Sequence, residues 1–417
     1  MEAEKTRRRA PSARAQRYNE VACVVDAGGY TAGISLFSMS TLIPLYVRQL
    51  TDSSVLVGLI PALYWTGLFL PQLVTARLVA RMPRLLPYVM TVAFFERGFL
   101  MLLIPFTLWW WQRPEFLLTA FFLAWAGHAV STGFNYVPYF GMVAKMIPAT
   151  RRGRVFGIGG AVGGILGVGG ARLAEVLLRD GGMPYGFVRC FIVGSVVLVV
   201  SVLPLALVRE PDGEPPAERP HAGPRQILSL LRADPAFARF VLGHVAYALS
   251  AAAAAFYTVY ALDELGASSS HAARFTAVLT GVTVVAYPVW GWVGDHHGNR
   301  VVITGGAALL GAAALLAFLA PSAEVYYGVF ALHAAASCGV GLAAGNMVLE
   351  FGPPNRAPTY LAVHSSCTMP VMGAAPLVAG IAAQGTGYRG VFAAAAVLAC
   401  LAVVGWRRVA EPRHRRF

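Results

Sequence analysis

The chain has 417 residues, 57% of them hydrophobic and only 13% charged, with a mean hydropathy of +0.61. A soluble domain carries roughly 25% charged residues, so this chain cannot cover a globule of its size with a solvated surface, which argues against a soluble enzyme. The remaining charge is lopsided, 33 Lys and Arg against 20 Asp and Glu for a net +13, and points either to nucleic acid or to the basic bias of cytoplasmic membrane loops.

In chain order, residues 1–21 are polar and basic, and the apolar stretch after them has no small-residue cleavage site. They read as a cytoplasmic tail leading into a retained first span rather than a signal peptide. A crossing helix needs about 20 apolar residues. Apolar runs between polar punctuation predict twelve spans, near 22–46, 55–76, 87–108, 115–140, 155–177, 185–207, 237–261, 272–293, 301–320, 325–349, 358–383 and 388–406. The longest polar break, 208–236, is Pro-rich and charged, as a linker should be. Within it Ile227-Leu228-Ser229-Leu230-Leu231-Arg232 suits a short interfacial helix. The break separates a six-helix bundle over 22–207 from a second over 237–406, and residues 407–417 form another basic tail. Cys23, Cys190, Cys338, Cys367 and Cys400 lie in apolar stretches without CxxC spacing. Neither a disulfide framework nor a zinc site is expected, and no cofactor.

Placement of the charges decides their meaning. With the N-terminus in the cytoplasm, 25 of the 33 basic residues fall on the cytoplasmic side and at most six on the other, while Arg97 and Arg172 fall inside spans. That asymmetry, about fourfold, orients both termini inward and removes the main support for a nucleic-acid partner. Trp109-Trp110-Trp111 at the end of the third span fits an outer-interface aromatic belt. The halves also align at an offset of 205, which sets Met142, Pro148 and Arg151 on Met347, Pro353 and Arg356, and His128 on His333. A duplication of parallel repeats is expected from this.

Gly291-Trp292-Val293-Gly294-Asp295-His296-His297-Gly298-Asn299-Arg300 occupies the loop between spans eight and nine. Glycines allow a tight turn at the membrane surface, and a carboxylate there can face a helix N-terminus. The stretch resembles the loop signature Gly-x-x-x-Asp-(Arg/Lys)-x-Gly-(Arg/Lys)-(Arg/Lys) of the major facilitator superfamily: Gly291, Asp295, Gly298 and Arg300 match, whereas His296 and Asn299 depart. The resemblance implies an all-α membrane fold of two pseudo-symmetric bundles, with spans one, four, seven and ten lining a cavity and span three in support. It also implies that each such loop clasps the opposite half. Span five opens with Arg151-Arg152-Gly153-Arg154, a suitable partner for Asp295, whereas the 2–3 loop keeps Arg77, Arg81 and Arg84 without an Asp, and span eleven opens with the weaker Arg356-Ala357-Pro358. One dominant cytoplasmic latch, Asp295 with Arg151 and Arg154, is therefore expected. Span five is glycine-dense, and Gly159, Gly163 and Gly167 have the spacing of close helix packing. No proline appears there, unlike the family's antiporter signature.

Ionisable residues within spans are costly and suggest function. Glu96 and Arg97 lie roughly 14 Å into span three. Helix neighbours diverge by about 100°, so each needs a partner on another helix; Asp26 in span one is a candidate for Arg97. A structural ion pair is weighed there against a coupling role. Arg172 and Glu175, three apart, form a local pair. His128 and His333 sit at matching places, and an unperturbed histidine changes charge near neutral pH, which suits proton coupling or polar substrate binding. His244, Tyr247, Asn135, Asn346 and His364 are further cavity candidates. His296-His297 gives no metal geometry.

The sequence therefore predicts a secondary transporter of a small organic solute in the plasma membrane, acting as a monomer by alternating access. No phosphate loop for ATP is visible, so the driving ion is expected to be H+ and the direction export. A nutrient importer or facilitator of the same fold, and a non-transporting receptor or scaffold, are the alternatives.

Overall fold

The computed structural model describes residues 13–79, 82–211, 224–351 and 357–409, and every regular element among them is helical. In order these are α1 (Ala13–Ser35), α2 (Leu42–Arg48), α3 (Ser54–Val79), α4 (Leu86–Met101), α5 (Leu103–Trp110), α6 (Pro114–Met146), α7 (Ala149–Gly181) and α8 (Tyr185–Val202), then a short 3-10 turn (Leu203–Leu207). After the linker come α9 (Pro224–Ala233), α10 (Pro235–Ala251), α11 (Ala254–Asp263), α12 (Ser269–His297), α13 (Asn299–Leu319), α14 (Val325–Glu350) and α15 (Ala357–Arg407). Among the described residues ten stretches are long and apolar enough to cross a membrane. The α1 helix is not one of them: it carries Arg14, Arg17, Asn19 and Glu20 near its start, and the chain breaks at 36–41 before α2. At 51 residues α15 would be about 76 Å long if straight, more than twice the ~30 Å hydrocarbon core. A kink at Gly387, φ 69°, divides it into two helices.

Helix starts follow local chemistry. Asp234 caps α10 by accepting from the Ala236 and Phe237 amides, with Pro235 at the first helical position. Glu210, at the head of the linker, accepts from the Leu85 and Leu86 amides at the start of α4 and pairs with Lys145 at 3.1 Å. An anion at a helix N-terminus is favoured by the dipole, so Glu210 supplies the carboxylate that the 2–3 loop lacks. α9 lays Ile227, Leu230 and Leu231 against the core of the later helices; its apolar face is covered by protein.

α1 packs on α7 and α8, and α6 on α3 and α4; among the later helices α10 packs on α15, and α14 on α12 and α13. The two groups meet where α3 crosses α15 and α7 crosses α12. The glycines of α7 serve both contacts. Gly159 and Gly163 face Ala27, Gly28 and Thr31 of α1, while Gly164 and Gly167 face Val284 and Thr280 of α12. A Cβ on Gly163 would sit 2.5 Å from the Gly28 carbonyl oxygen, whereas one on Gly169 would meet nothing within 4 Å. Gly163→Ala should thus cost about 1–3 kcal/mol and lower the melting temperature in detergent, with Gly169→Ala as the neutral control.

The start of α1 and the end of α15 lie on one face, here the terminal face. There Asn19 donates to the Arg209 carbonyl at 3.1 Å, and Arg239 donates to the Arg408 carbonyl at 3.2 Å. The two groups are joined at the opposite face. Arg48 Nε lies 2.8 Å from Asp263 Oδ1, and Arg274 Nη2 lies 2.6 Å from Glu175 Oε1. Thr41 and Thr276 hydroxyls are 2.6 Å apart, Thr258 donates to the Ser40 carbonyl at 2.6 Å, and Ser54 donates to the Gly380 carbonyl at 2.9 Å. The α1–α2 break supplies Ser40 and Thr41 to this seam. The local Arg172–Glu175 pair forms as expected, at 2.9 Å, and Arg274 enlarges it into a link between groups.

The predicted latch is not formed in this conformation. Asp295 is exposed and has no partner among the described residues, and Arg151 pairs instead with Glu20 at 2.8 Å. Arg154 is exposed. The groups are held together at the opposite face, and Asp295 does not clasp Arg151 or Arg154 in this conformation. Gly298 does take φ 90° between α12 and α13, as the motif requires. Arg300 donates to the Val409 carbonyl, and Asn299 donates to Glu350 at 3.0 Å. Gly291 has open space where a Cβ would lie. Arg356, the side chains of Arg77 and Arg81, and most of both tails lie outside the described residues.

Candidate functional site

Three helices bring the buried charges together. Asp26 comes from α1, Glu96 and Arg97 from α4, and Thr132 and Asn135 from α6. The three charged side chains are at most 6% exposed. Arg97 Nη2 lies 3.4 Å from Asp26 Oδ1, as the sequence suggested. Its Nε donates to the Leu198 carbonyl of α8 at 2.9 Å, and its guanidinium carbon sits 5.7 Å from the centre of the Tyr30 ring. Glu96 accepts from the Tyr30 hydroxyl at 2.9 Å, from Thr132 at 3.1 Å and from the Asn135 amide at 3.1 Å. Tyr139 and Asp26 both line the adjoining cavity.

Glu96 and Arg97 each find the partner on another helix that the sequence calls for, and Arg97 Nη1 also lies 3.5 Å from Glu96 Oε2. Their Cα–Cβ bonds diverge, but the long guanidinium arm folds back across the helix face. The sequence expectation that needs correction is the supporting place of span three. Instead α4 lines a cavity of about 300 Å³ with Val89, Ala93, Glu96 and Arg97. Asp26, Tyr30, Tyr64, Asn135, Tyr136, Tyr139, Phe140 and Phe156 complete most of its wall, all from the earlier group of helices.

The histidines stand apart from this cavity. His128 is buried behind Glu96, its Nδ1 bonded to the Glu96 carbonyl at 3.0 Å and its ring beside Tyr64 and Trp125. His333 packs edge-on against Tyr257, and its Nδ1 has no partner among the described residues. His244 and His364 are hydrogen-bonded to each other at 3.0 Å, with Tyr247 against the His244 ring. Asn346 is exposed on α14. None of His244, Tyr247, His333 or Asn346 reaches the cavity. Among the described residues no group of three or more His, Cys, Asp or Glu could hold a metal ion.

Sequence reasoning missed the neutral polar side chains of the site. Tyr30, Thr132 and Tyr139 lie one helical turn after Asp26, His128 and Asn135 respectively, so i to i+4 spacing from each candidate was the available signal. The arrangement places two carboxylates around one guanidinium beside open space. With all three ionised it carries one uncompensated negative charge, which a proton or another cation can neutralise.

The family profile of the Major Facilitator Superfamily matches residues 27–270 and again 240–417. An uncharacterised protein of Mycobacterium tuberculosis is 24% identical over 357 residues, covering 82% of this chain and 67% of that one. Among solved structures, the nucleoside transporter NupG superposes with a TM-score of 0.72 at 10% identity, covering 94% of this chain and 99% of its own. The xylose transporter XylE from E. coli, in a partially occluded inward-open conformation, gives 0.68 at 12% identity, covering 97% of this chain and 100% of its own. A bacterial homologue of the human lysosomal transporter Spinster, inward-facing and unoccupied, gives 0.66 at 16% identity with 97% and 100% covered. These likenesses establish the fold. With the profile they show a multi-pass membrane protein of the transporter class and not an enzyme: the chain belongs to the major facilitator superfamily.

Proposed function

We propose that the chain is a proton-coupled secondary transporter that exports a small organic solute across the plasma membrane by alternating access. Taking α1–α2 as one crossing and α15 as two adds two to the ten apolar stretches and gives twelve spans. They fall as six over 22–207 and six over 237–406, joined by the linker 208–236, with the terminal face cytoplasmic and the chain acting as a monomer. The opposite face, closed by Arg48–Asp263 and Glu175–Arg274, is then external. The conformation is inward-facing, and the Asp295 clasp on Arg151 and Arg154 belongs to the outward-facing state.

One observation carries the coupling: the Asp26–Arg97–Glu96 cluster is both buried and a wall of the cavity. Packing alone is a poor account of such a cluster, because an ion pair in a dry core is a weak source of stability and ionisable groups within spans are costly. Here a solute entering the cavity meets Glu96 directly, so its binding and a proton's binding act on the same carboxylate. His128 takes a place behind this site.

A thermal-shift screen on purified protein finds the solute, since a ligand of the folded state raises apparent stability. Flux of that solute into proteoliposomes then tests the reading. A pH gradient should drive accumulation in wild type, and Glu96→Gln should exchange solute without responding to the gradient. Full gradient-driven accumulation by Glu96→Gln, Asp26→Asn and His128→Gln alike would remove these residues from coupling.

A further inference from the structure

The lining of the cavity restricts what it can hold. Its charged side chains are Asp26, Glu96 and Arg97. Arg97 is engaged by Asp26, by Glu96 and by the carbonyls of Leu198 and Ala93. The rest of the wall supplies no further cation. Glu96 is faced by Tyr30 from α1, Tyr64 from α3, Arg97 on its own helix, and Thr132, Asn135 and His128 from α6. The lining contributions of α7 and α8, Phe156 and Val202, have no titratable group. With all three ionised, one negative charge is left for the occupant to balance.

Asn135 sharpens this. Its amide nitrogen donates to Glu96 Oε2, which leaves Oδ1 as the group's free acceptor. That Oδ1 is buried and has no hydrogen-bond partner among the described residues. A buried acceptor without a donor is costly, and one beside a carboxylate suits an N–H donor that bears positive charge. The wall nearby is aromatic. Tyr136 and Phe140 have ring centres 4.9 Å apart, and Phe140 and Phe156 5.6 Å. Aromatic faces attract cations and cover the apolar body of a ligand.

We propose that the solute is a monovalent organic cation, a protonated amine on a compact aromatic or aliphatic body, whose ammonium group donates to Glu96 and to Asn135 Oδ1. This rests on the transport reading above and names its substrate class. Because only one charge is uncompensated, the ammonium group and a proton exclude each other at Glu96, and exchange is one for one. A carboxylate or phosphate solute meets a site of its own sign. A neutral one leaves the charge unbalanced.

The test uses the full chain in detergent and three probes of matched shape: phenethylammonium, neutral 2-phenylethanol and anionic 3-phenylpropanoate. Calorimetry should show the cation binding at least about tenfold more tightly than the other two. Its apparent Kd should rise toward about tenfold per pH unit as protons compete at low pH. Glu96→Gln should abolish both the preference and the pH dependence. Asn135→Leu should weaken the cation and leave the alcohol unchanged, with each variant's melting temperature checking that it folds. Equal binding of the three probes, preference for the anion, or a cation preference that survives Glu96→Gln would overturn the assignment. Binding in detergent needs no transport, so loss of cation preference with solute-driven proton movement intact overturns the substrate class alone. Cation binding without any flux in proteoliposomes overturns the transport reading.

Discussion

Removing both ion pairs of the opposite face, by Arg48→Ala together with Glu175→Gln, is expected to shift the chain toward a conformation open on that face. The Arg48 and Asp263 side chains are only 18% and 20% exposed, so their pair is screened less than a surface pair worth ~0–1 kcal/mol. Glu175 is 9% exposed and holds two guanidinium groups, Arg172 and Arg274. What remains of the seam is hydrogen bonding through Thr41, Thr258 and Ser54 and apolar packing of buried side chains from both groups. A two-state equilibrium moves tenfold for each loss of about 1.4 kcal/mol, so the population of the second state should become directly visible. Spin labels at Glu115 and Pro321, both exposed on this face, should report a longer distance component in the double variant. Arg113→Ala, on the same face, should leave the distribution unchanged. A distribution identical to wild type in the double variant would mean that the ion pairs do not hold the gate.

The largest expected loss of stability is at Arg97. Arg97→Met takes the guanidinium from two buried carboxylates, and breaking a buried pair by removing one partner costs about 3–5 kcal/mol. Glu96 keeps its three neutral donors. Asp26, whose printed side-chain contact is Arg97 itself, is the more exposed to the loss. Asp26→Asn added to Arg97→Met should recover a substantial part of the melting temperature, although either substitution alone lowers it. The variant should also regain stability at lower pH, because protonation discharges carboxylates that no longer have a counter-charge. Equal melting temperatures for Arg97→Met with and without Asp26→Asn would show that the Asp26–Arg97 contact, 3.4 Å long, contributes nothing.

How much of this was legible depends on the signal each feature leaves. Apolar runs marked the helices because hydrocarbon burial demands them. They marked them by depth and not by helical ends: the first run was placed at 22–46, whereas α1 begins at Ala13 and ends at Ser35. The polar residues before Val21 can be helical outside the hydrocarbon without adding to its hydropathy. The break at 36–41 has no proline or glycine to announce it, and its Ser40 and Thr41 find their partners only across the groups. Asp26, Glu96 and Arg97 stood out because a charge in an apolar run is conspicuous. Tyr30, Tyr139 and Thr132 did not, since tyrosine and threonine are ordinary in such runs and take their meaning from a carboxylate on a neighbouring helix. The matching of His128 with His333 drew attention to two buried rings, while the contact between His244 and His364, 120 residues apart, left no local pattern. The Asp295 motif was recognisable, but whether a clasp is closed depends on conformation, which no spacing encodes.

The central claim, that solute and proton meet at Glu96 in an alternating-access carrier, is tested most directly by proton movement in proteoliposomes containing the full chain and a luminal pH dye. Adding the solute found by thermal shift should change luminal pH in wild type and leave it flat in Glu96→Gln, while labelled solute still crosses in both. Solute that binds wild type yet moves neither itself nor a proton, or a luminal response equal in wild type and Glu96→Gln, would contradict it.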